Sequence, residues 1–453
     1  MDTEKNHLTQ RVRELMEAGQ LEAVAELATQ VHPADLADAL KDLEPEQTAS
    51  LLKMLEPKLA SEIFMALPEG LRAALLEMLP AQQLARIVDE LPSDEATDIV
   101  SDLAPAKAED VLERIDAQDT AEVRALLKYK EDTAGGIMQL ELVAARLGQS
   151  VAEVVETIRR HKEEVGDIYN VFVVDGSGRL KGVLPLAKLV LAEPDQRVEE
   201  IMEPCPLVVK ADEDQEEVAR KFQRYDVVSA AVVDDEGRLL GRITIDDVME
   251  VMEEEVQEDF MRLAGSSSKE LVVYEGKVLK VSMIRLPWLL TNLFGGLITG
   301  WLLWKFKVTL ADALFLVTFI PVITAMGGNA GLQSSTTTVR GFALGIITFR
   351  NIWKRLAREV GVGLVMGCVC GTVVGIVAIL WHRNPMLGVV VSLAMAGAIT
   401  MATLMGTLAP AFFKRLGVDP AISSGPFVTT ANDITGILIY FTIATVFYHQ
   451  LVR

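Results

Sequence analysis

The sequence predicts a multidomain membrane protein with an N-terminal α-helical superhelix, a pair of α/β modules, an acidic connecting helix and a five-helix all-α transmembrane domain. Three observations predict this order: two different internal repeats in the first half, a change of charge near Leu286, and long apolar stretches after that residue. At 453 residues, the chain has room for about three domains on a prior of roughly 150 residues each.

Charge divides the chain into two environments. The whole chain has 43 basic and 64 acidic residues, but the part from Leu286 onward has 11 basic and 4 acidic ones. The first 285 residues therefore carry a net charge of −28 and the remainder +7. A domain that negative attracts cations and repels phosphates, so we expect divalent cations as ligands and no nucleic acid partner.

The first repeat is marked by proline. Prolines recur every 11 to 13 residues, each followed by an apolar pattern with helical spacing, at positions 33, 45, 57, 68, 80, 92 and 105. Proline in the first turn of a helix loses no hydrogen bond and stops the preceding helix. The spacing predicts a superhelix of short stacked helices over residues 1–132.

The second repeat is longer and has a different period. Val171–Val183 matches Ala230–Arg242, and Asp175 corresponds to Asp234 at an offset of 59 residues. Each copy indicates a strand, a glycine turn, a strand and a helix. The pair resembles two CBS modules, over 133–200 and 201–245.

The second copy contains a possible nucleotide contact. Thr244 and Asp247 resemble the CBS element in which a threonine and an aspartate three residues later contact the ribose and phosphate of a nucleotide. The corresponding positions of the first copy are Pro185 and Lys188, so the resemblance implies at most one adenine-nucleotide site, with regulatory ATP as its ligand. A simple helix cap is the alternative role of Asp247.

An acidic helix is predicted over 246–275. Between Asp246 and Asp259 there are 8 acidic residues and no basic one, with apolar residues at helical spacing. Two like charges about 4 Å apart repel by roughly 4 kcal/mol at an effective dielectric of 20, so this face can approach another acidic surface only with a counter-ion. A divalent metal is one such bridge, and a solvent-exposed acidic helix is the alternative.

Five apolar stretches follow, each near or above the roughly 20 residues that a helix needs to cross a bilayer. They cover about 286–304, 308–330, 360–381, 386–413 and 421–448 within the transmembrane domain, 276–453. Basic residues precede the first stretch and separate the second from the third and the fourth from the fifth. This pattern predicts a multi-pass protein in lipid of the cytoplasmic membrane, with the N-terminus cytosolic and the C-terminus outside.

Asp433 stands out because it lies in an otherwise uncharged run, Pro420–Tyr448. A carboxylate near the centre of a spanning helix costs roughly 2.5 to 3.5 kcal/mol on insertion scales, so it normally faces a cavity, a partner or an ion. Thr429 and Asn432 add the oxygen ligands that Mg²⁺ or Ca²⁺ prefers. A cation site is the prediction, and pairing within the helix bundle for packing alone is the alternative.

The second stretch ends in glycines. Pro321–Gly331 includes Gly328, Asn329 and Gly331 and is followed by a run of serine and threonine. Glycine and proline at membrane depth predict a break in the helix that lines the pore and meets the Asp433 segment. Close packing of helices through small residues is the alternative.

The whole arrangement resembles the MgtE family of bacterial magnesium channels. The most specific marks are Pro321–Gly331 and the segment Gly425–Gly436, which contains Asp433. The resemblance implies a homodimer with its pore between the two transmembrane domains, where Asp433 of both subunits holds a largely hydrated Mg²⁺.

The resemblance also implies Mg²⁺ sites that hold the channel shut. The matching residues are Asp94 and Asp98 in the superhelix, Asp214, Glu216, Asp226 and Asp247 in the second CBS module, Glu250, Glu255, Glu258 and Asp259 on the acidic helix, and Asp419 before the fifth stretch. The hypothesis is negative feedback, with Mg²⁺ imported until the internal ion closes the pore.

Other functions remain open at this point. A nucleotide-sensing CBS regulator anchored in the membrane and a divalent cation carrier of other selectivity are the alternatives. An enzyme is not expected, because the sequence has neither a His-Glu-x-x-His motif nor a phosphate-binding G-x-x-x-x-G-K-[ST] loop.

Overall fold

The computed structural model describes residues 2–160, 168–263, 278–307, 314–343, 345–423 and 425–451. The last part of the predicted acidic helix, 264–275, and the start of the predicted second stretch, 308–313, lie outside the described residues. The chain forms two compact units, 1–255 and 256–453, which are described separately.

The first unit begins with short helices, and their starts confirm the proline interpretation. Their bounds are α1 (Asp2–Glu17), α2 (Leu21–Ala28), α3 (Pro33–Leu40), α4 (Pro45–Met54), α5 (Pro57–Ala66), α6 (Glu69–Met78), α7 (Ala81–Val88), α8 (Ser93–Asp102), α9 (Pro105–Leu112) and α10 (Ala117–Leu126). Each repeating proline is either the first residue of a helix or the residue just before it. Because proline fixes φ near the helical value, it starts each helix where no backbone donor is lost.

These helices pack in two alternating layers. α1, α3, α5, α7 and α9 contact one another in series, as do α2, α4 and α6. Their apolar faces form one continuous core that includes Leu36, Ile63, Phe64, Leu75 and Leu84. Because each short helix buries its face only against its neighbours, the predicted superhelix follows.

Two small α/β modules follow the superhelix. The first contains β1 (Ala144–Arg146), α11 (Val151–Arg160), β2 (Asn170–Val174), β3 (Leu180–Pro185) and α12 (Leu186–Leu191), and the second contains α13 (Val198–Ile201), β4 (Val208–Lys210), α14 (Gln215–Tyr225), β5 (Ser229–Val233) and β6 (Leu239–Thr244). In each three-stranded sheet, the first strand is parallel and the third antiparallel to the middle one. The glycine turns end in Gly178 and Gly237, at φ of 80° and 78°, a conformation that glycine adopts without strain.

The segment that leads into the first module contributes to the second one. The backbone N–H of Gln139 donates to the carbonyl of Arg242 at 2.7 Å, and Ala134 and Met138 pack in the core of the second module. Residues 134–139 therefore connect the superhelix directly to the edge of β6. The helix α15 (Ile245–Leu263) continues from β6 and passes from the first compact unit into the second.

Within its described residues, the second unit contains five helices that are long and apolar enough to cross a membrane, as predicted. They are α16 (Val278–Lys305), α17 (Ile320–Ala343), α18 (Ile352–His382), α19 (Pro385–Arg415) and α20 (Pro426–Val446). A 3-10 segment, Leu314–Phe319, precedes α17, and a second one, Pro420–Ser423, precedes α20. The short α21 (Tyr448–Leu451) ends the described chain.

The predicted break in the second stretch is wrong, because α17 runs as one helix through all of its glycines. Pro321 lies in the first turn, where proline is tolerated, so the helix extends to Ala343 and is longer than predicted. Gly331 serves close packing instead, which was the alternative. A Cβ added at Gly331 would lie 1.8 Å from Nδ2 of Asn432.

Helix packing in this unit uses small residues. Gly363, Gly367, Gly371 and Gly375 face α19 from α18, and a Cβ added at Gly367 would lie 2.7 Å from the Cα of Ala396. Large apolar side chains such as Leu293, Phe294 and Trp301 are exposed on the outer surface, as expected for lipid-facing positions. The predicted fold class is confirmed.

Candidate ion-binding sites

Two acidic helix faces oppose each other within the first unit. α8 contributes Asp94, Glu95 and Asp98, and α15 contributes Asp247, Glu250 and Glu254. The charge of Asp247 acts on Asp94, and that of Glu250 acts on both Glu95 and Asp98. The structure therefore places Asp94 within reach of the charge of Asp247, and Asp98 within reach of that of Glu250; all four are predicted metal-binding residues.

The carboxyls of this acidic face are strongly perturbed. Loss of hydration, followed by the charges of Glu250 and Asp247, raises the pKa of Glu95 to about 7. Loss of hydration, followed by the charges of Glu250 and Glu254, raises the pKa of Asp98 to about 7. Arg72 opposes this effect at Glu95 but does not offset it. A raised carboxyl pKa means that the site favours added positive charge, either as protons or as a cation.

Asp94 is the most buried acid of the acidic face, with 6% of its surface exposed. Its Oδ1 is buried and has no hydrogen-bond partner among the described residues. Burial, followed by the charge of Asp247, raises the pKa of Asp94 well above its ordinary value. A buried acceptor without a donor is costly, and a cation or one of its bound waters would satisfy it.

The segment 139–141 holds both sides of the acidic face in place. The N–H and the hydroxyl of Ser93 each donate to the carboxylate of Glu141 at 2.8 Å, so Glu141 caps α8 next to Asp94. The side-chain amide of Gln139 donates to both carboxylate oxygens of Asp247 at 3.3 Å. Gln139 and Glu141 carry no signal in the sequence, because their partners are 108 and 48 residues away along the chain, respectively.

Asp247 has the geometry of a helix cap. Its Oδ2 accepts from the hydroxyl of Thr244 at 2.6 Å and from the N–H of Thr244 at 3.1 Å. This is the contact that a residue in the first turn makes with the residue before a helix. The capping alternative is therefore observed, and the nucleotide contact of Thr244 and Asp247 stays a prediction.

The other predicted ligands of the second CBS module lie at opposite ends of α14. Asp214 caps its N-terminus by accepting from the N–H of Glu216 at 3.0 Å, and Asp226 ends the helix with a φ of 53°. A helix of 11 residues is about 16 Å long. One chain therefore cannot place Asp214 and Asp226 on the same ion. Glu255 accepts from the side chain of Gln215 at 2.9 Å.

In the second unit, Arg262 joins two predicted ligands. Its guanidinium forms ion pairs with Glu258, four residues earlier on α15, and with Asp419 before α20. Asp419 also accepts from the N–H of Ala421 at 2.8 Å. The structure thus brings Glu258 and Asp419 together around a basic side chain that the sequence analysis did not consider. Asp259, another predicted ligand, lies on the same helix and also interacts with another group.

The predicted pore residues lie where α17 meets α20. Asn432 is 2% exposed, and its amide donates to the carbonyl of Gly327 at 3.4 Å. Thr429 approaches Gly328 across the same contact. Asp433, the next residue on α20, is half-buried and forms no hydrogen bond or ion pair within the described part of the chain. Asn329 is exposed on α17.

No group of three described His, Cys, Asp or Glu side chains is close enough to form a complete metal cage. Mg²⁺ loses water reluctantly and is usually held by one or two carboxylates and several waters. Opposed acidic faces and a lone membrane carboxylate suit such a hydrated ion better than a dedicated cage.

Comparison with known proteins agrees with this organisation. The profile described as the divalent cation transporter domain of MgtE matches residues 320–443, that of the MgtE intracellular N domain matches 31–132, and CBS domains match 134–195 and 198–254. The magnesium transporter MgtE of Thermus thermophilus is 40% identical over 73% of each chain. The magnesium transporter MgtE of Enterococcus faecalis is 37% identical over 74% of each chain.

A solved structure covers the soluble part. The crystal structure of the cytosolic domain of the Mg²⁺ channel MgtE in complex with ATP superimposes with a TM-score of 0.51 and 39% identity. It covers 54% of this chain and 99% of the solved chain.

The fold and its acidic sites define a multi-pass membrane protein of the divalent cation transporter class, with a CBS pair in its soluble half. The profile matches and the extent of similarity settle the family as well. This chain belongs to the MgtE family.

Proposed function

We propose that the chain imports Mg²⁺ across the cytoplasmic membrane through a pore lined by Asp433. The observation that carries this proposal is an intramembrane carboxylate, unpaired in the described structure, in a family whose members are named magnesium transporters. Because such a carboxylate is costly in lipid, it is expected to face a cavity, a partner or the permeating ion. Two copies of the chain would supply two carboxylates to one hydrated ion, so the proposed assembly is a homodimer.

We further propose that cytosolic Mg²⁺ closes this pore. The support is the acidic face of α8 and α15, where repulsion opposes docking and the buried Oδ1 of Asp94 needs a donor or a cation. Asp94, Asp98, Asp247 and Glu250 would hold the ion through its waters. α15 connects the acidic face to the second unit, which contains the membrane helices, because the same helix continues into that unit.

The energy that such a gate needs is available from several weak sites. Moving a two-state gate from 1:99 to 99:1 takes about 5.5 kcal/mol of differential binding. Five or so sites at roughly 1 kcal/mol each would supply that amount. Closure would therefore depend steeply on the concentration of the ion.

ATP is the proposed regulatory nucleotide, with Thr244 and Asp247 as its predicted contacts. The support is the ATP complex of the related cytosolic domain. Because Asp247 already caps α15 and faces Asp94, a nucleotide that engages it would compete with these contacts and change the ion site.

Flux into liposomes tests the transport function. Purified protein in vesicles that contain a Mg²⁺-sensitive dye should admit the ion, and Asp433→Asn should reduce the signal to that of empty vesicles. Thr372→Val is the matched control, because Thr372 is exposed and its hydroxyl donates only to its own helix, at Cys368. Vesicles with wild-type protein that stay impermeable would favour a membrane-anchored nucleotide sensor, and faster Mn²⁺ than Mg²⁺ entry would favour a carrier of other selectivity.

A further inference from the structure

A buried carboxylate near the N-terminal end of α18, Glu359, is not used by the proposed transport function. Its side chain is 7% exposed, and its Oε1 forms an ion pair with Arg355 at 2.7 Å. A buried charge is costly unless it is paired and hydrogen-bonded, so the burial of Glu359 calls for an explanation. No motif in the sequence marks Glu359.

Both members of this ion pair reach the serine and threonine run of α17. The hydroxyl of Ser334 donates to Oε2 of Glu359 at 2.7 Å. The guanidinium of Arg355 donates to the hydroxyl of Thr337 at 3.1 Å. Because residues three apart lie on one face of a helix, Ser334 and Thr337 give α17 a single docking face for α18.

The third helix of the bundle joins the same point. The hydroxyl of Thr403 on α19 donates to the backbone carbonyl of Glu359 at 3.1 Å. Next to it, Gly406 of α19 is so close to α17 that an added Cβ would lie 2.3 Å from the carbonyl oxygen of Gly331 and 3.0 Å from the Cβ of Ser334. The rotation of α17 about its axis is therefore set within one turn of Gly331.

Gly331 is the residue against which Asn432 packs. Since Asp433 follows Asn432 on α20, any rotation of α17 changes the surface that supports the candidate pore carboxylate. A buried ion pair adds little net stability over an apolar pair of similar volume. Its presence here fits a role in orientation better than a role in stability.

We propose that Glu359, held by Arg355, is a positioning residue for permeation: through Ser334 it sets the rotation of α17, so that Gly331 seats Asn432 beside Asp433. This inference rests on the proposed pore role of Asp433. The carboxylate does not touch the ion. It acts by keeping the contact between α17 and α20 in the geometry that the ion requires.

The test uses a double variant that carries both Arg355→Met and Glu359→Met. Its vesicle flux and the thermal unfolding of the purified protein are compared with those of wild type. Because both charges are removed together, no unpaired charge is left buried, and the melting temperature should stay that of wild type. Flux should nevertheless fall at least about tenfold, since small displacements at a site have large effects on rate. The Mg²⁺ concentration for half-maximal flux should rise as well, which a change in stability alone would not produce.

Ser334→Ala keeps the proposal testable if the double variant fails to fold. This variant removes only the donor to Glu359 and should lower flux severalfold at an unchanged melting temperature. Ser282→Ala is the matched control, because the hydroxyl of Ser282 is exposed and donates to Val278 of its own helix. Wild-type flux in a folded double variant, or equal flux in Ser334→Ala and Ser282→Ala, would overturn the positioning role. Wild-type flux in Asp433→Asn would instead reject the pore assignment itself.

Discussion

Ser93 and Glu141 form a two-point contact in which the N–H and the hydroxyl of the serine both donate to one carboxylate at 2.8 Å. The residues are 48 positions apart, and the contact fixes the first turn of α8 to the segment that precedes β1. Asp94 follows Ser93 directly. The geometry of the candidate regulatory site thus depends on a cap that contains no predicted ligand.

Loss of this cap should weaken the ion response. Glu141→Ala removes an acceptor for two donors, and a lost helix cap costs about 1 kcal/mol. Because docking and ion binding are linked, the Mg²⁺ concentration that gives half-maximal protease protection of the soluble half should rise roughly fivefold, the equivalent of that cost. Glu153→Ala is the control, since Glu153 accepts from Ser150 in a similar cap on an exposed part of the first module. Equal midpoints in the two variants would show that the cap does not matter to the ion.

Neutralising the acidic face should make closure less dependent on the ion. Asp98→Asn removes a charge that faces Glu250 and Glu254, so α8 and α15 repel each other less without metal. We expect more protease protection at zero Mg²⁺ and a shallower Mg²⁺ titration than in wild type. Asp42→Asn is the matched control, because Asp42 is an exposed acid of the superhelix paired with Arg13 at 3.4 Å. A titration that is merely shifted to higher concentration, with no gain at zero Mg²⁺, would argue against repulsion.

Protons should partly replace the cation. The pKa values of Glu95 and Asp98 are raised to about 7 in the docked structure, from ordinary values of 4.5 and 3.8. A raised pKa means that the docked state binds protons more tightly, so docking gains stability as pH falls through about 7 and loses it as pH rises. The groups whose charges act on Glu95 are Glu250, Asp247, Asp246 and Arg72, those that act on Asp98 are Glu250, Glu254, Glu131 and Asp102, and Glu95 itself acts on Asp94.

Metal-free protein should therefore resist protease better at pH 6 than at pH 8, when the digestion is calibrated with an unstructured substrate at each pH. The apparent affinity for Mg²⁺ should be weaker at pH 6, because the ion must displace protons. In Asp98→Asn the pH effect should be smaller than in wild type. Metal-free protection that increases with pH would contradict the assignment.

Arg262 should act as a built-in counter-ion between Glu258 and Asp419. Arg262→Gln leaves two partly exposed carboxylates facing each other without a basic partner, so Mg²⁺ has to supply the missing charge. In vesicle flux, the Mg²⁺ concentration needed to close the pore should increase severalfold. This change corresponds to the lost free energy of one or two ion pairs, at roughly 0.2–1 kcal/mol each. Arg383→Gln, at an exposed helix end, should behave as wild type. Unchanged closure in Arg262→Gln would remove Arg262 from the account.

Local sequence signals predicted most of the architecture. Repeated prolines marked helix starts because the effect of proline on φ and on hydrogen bonding is local. The lengths of the apolar stretches predicted five membrane helices, because hydropathy is likewise a local property of the sequence. Glycine is ambiguous: the glycines of Pro321–Gly331 predict a helix break, but Gly331 accommodates Asn432 within a continuous helix, and only the neighbouring helix decides between these roles.

The candidate sites were only partly predictable. The charge of Asp247 acts on Asp94 and that of Glu250 acts on Asp98, but the role of these four acids as ion ligands stays a prediction. The side chains that contact the predicted ligands could not be predicted from sequence. Gln139 and Asp247 are 108 residues apart, and Arg262 and Asp419 are 157 apart. Polar residues such as these have no periodicity that distinguishes a buried partner from a solvated side chain, so tertiary structure alone identifies them.

The central claim is that Mg²⁺ bound to the soluble acidic face closes the pore. Recording currents from membrane patches tests it most directly, with Mg²⁺ varied on the side that the soluble domains face. The account predicts that open probability falls steeply as Mg²⁺ rises in wild type, and falls less in the variant that combines Asp98→Asn with Glu254→Gln. Currents that ignore Mg²⁺ on that side, or identical curves for wild type and this variant, would contradict it.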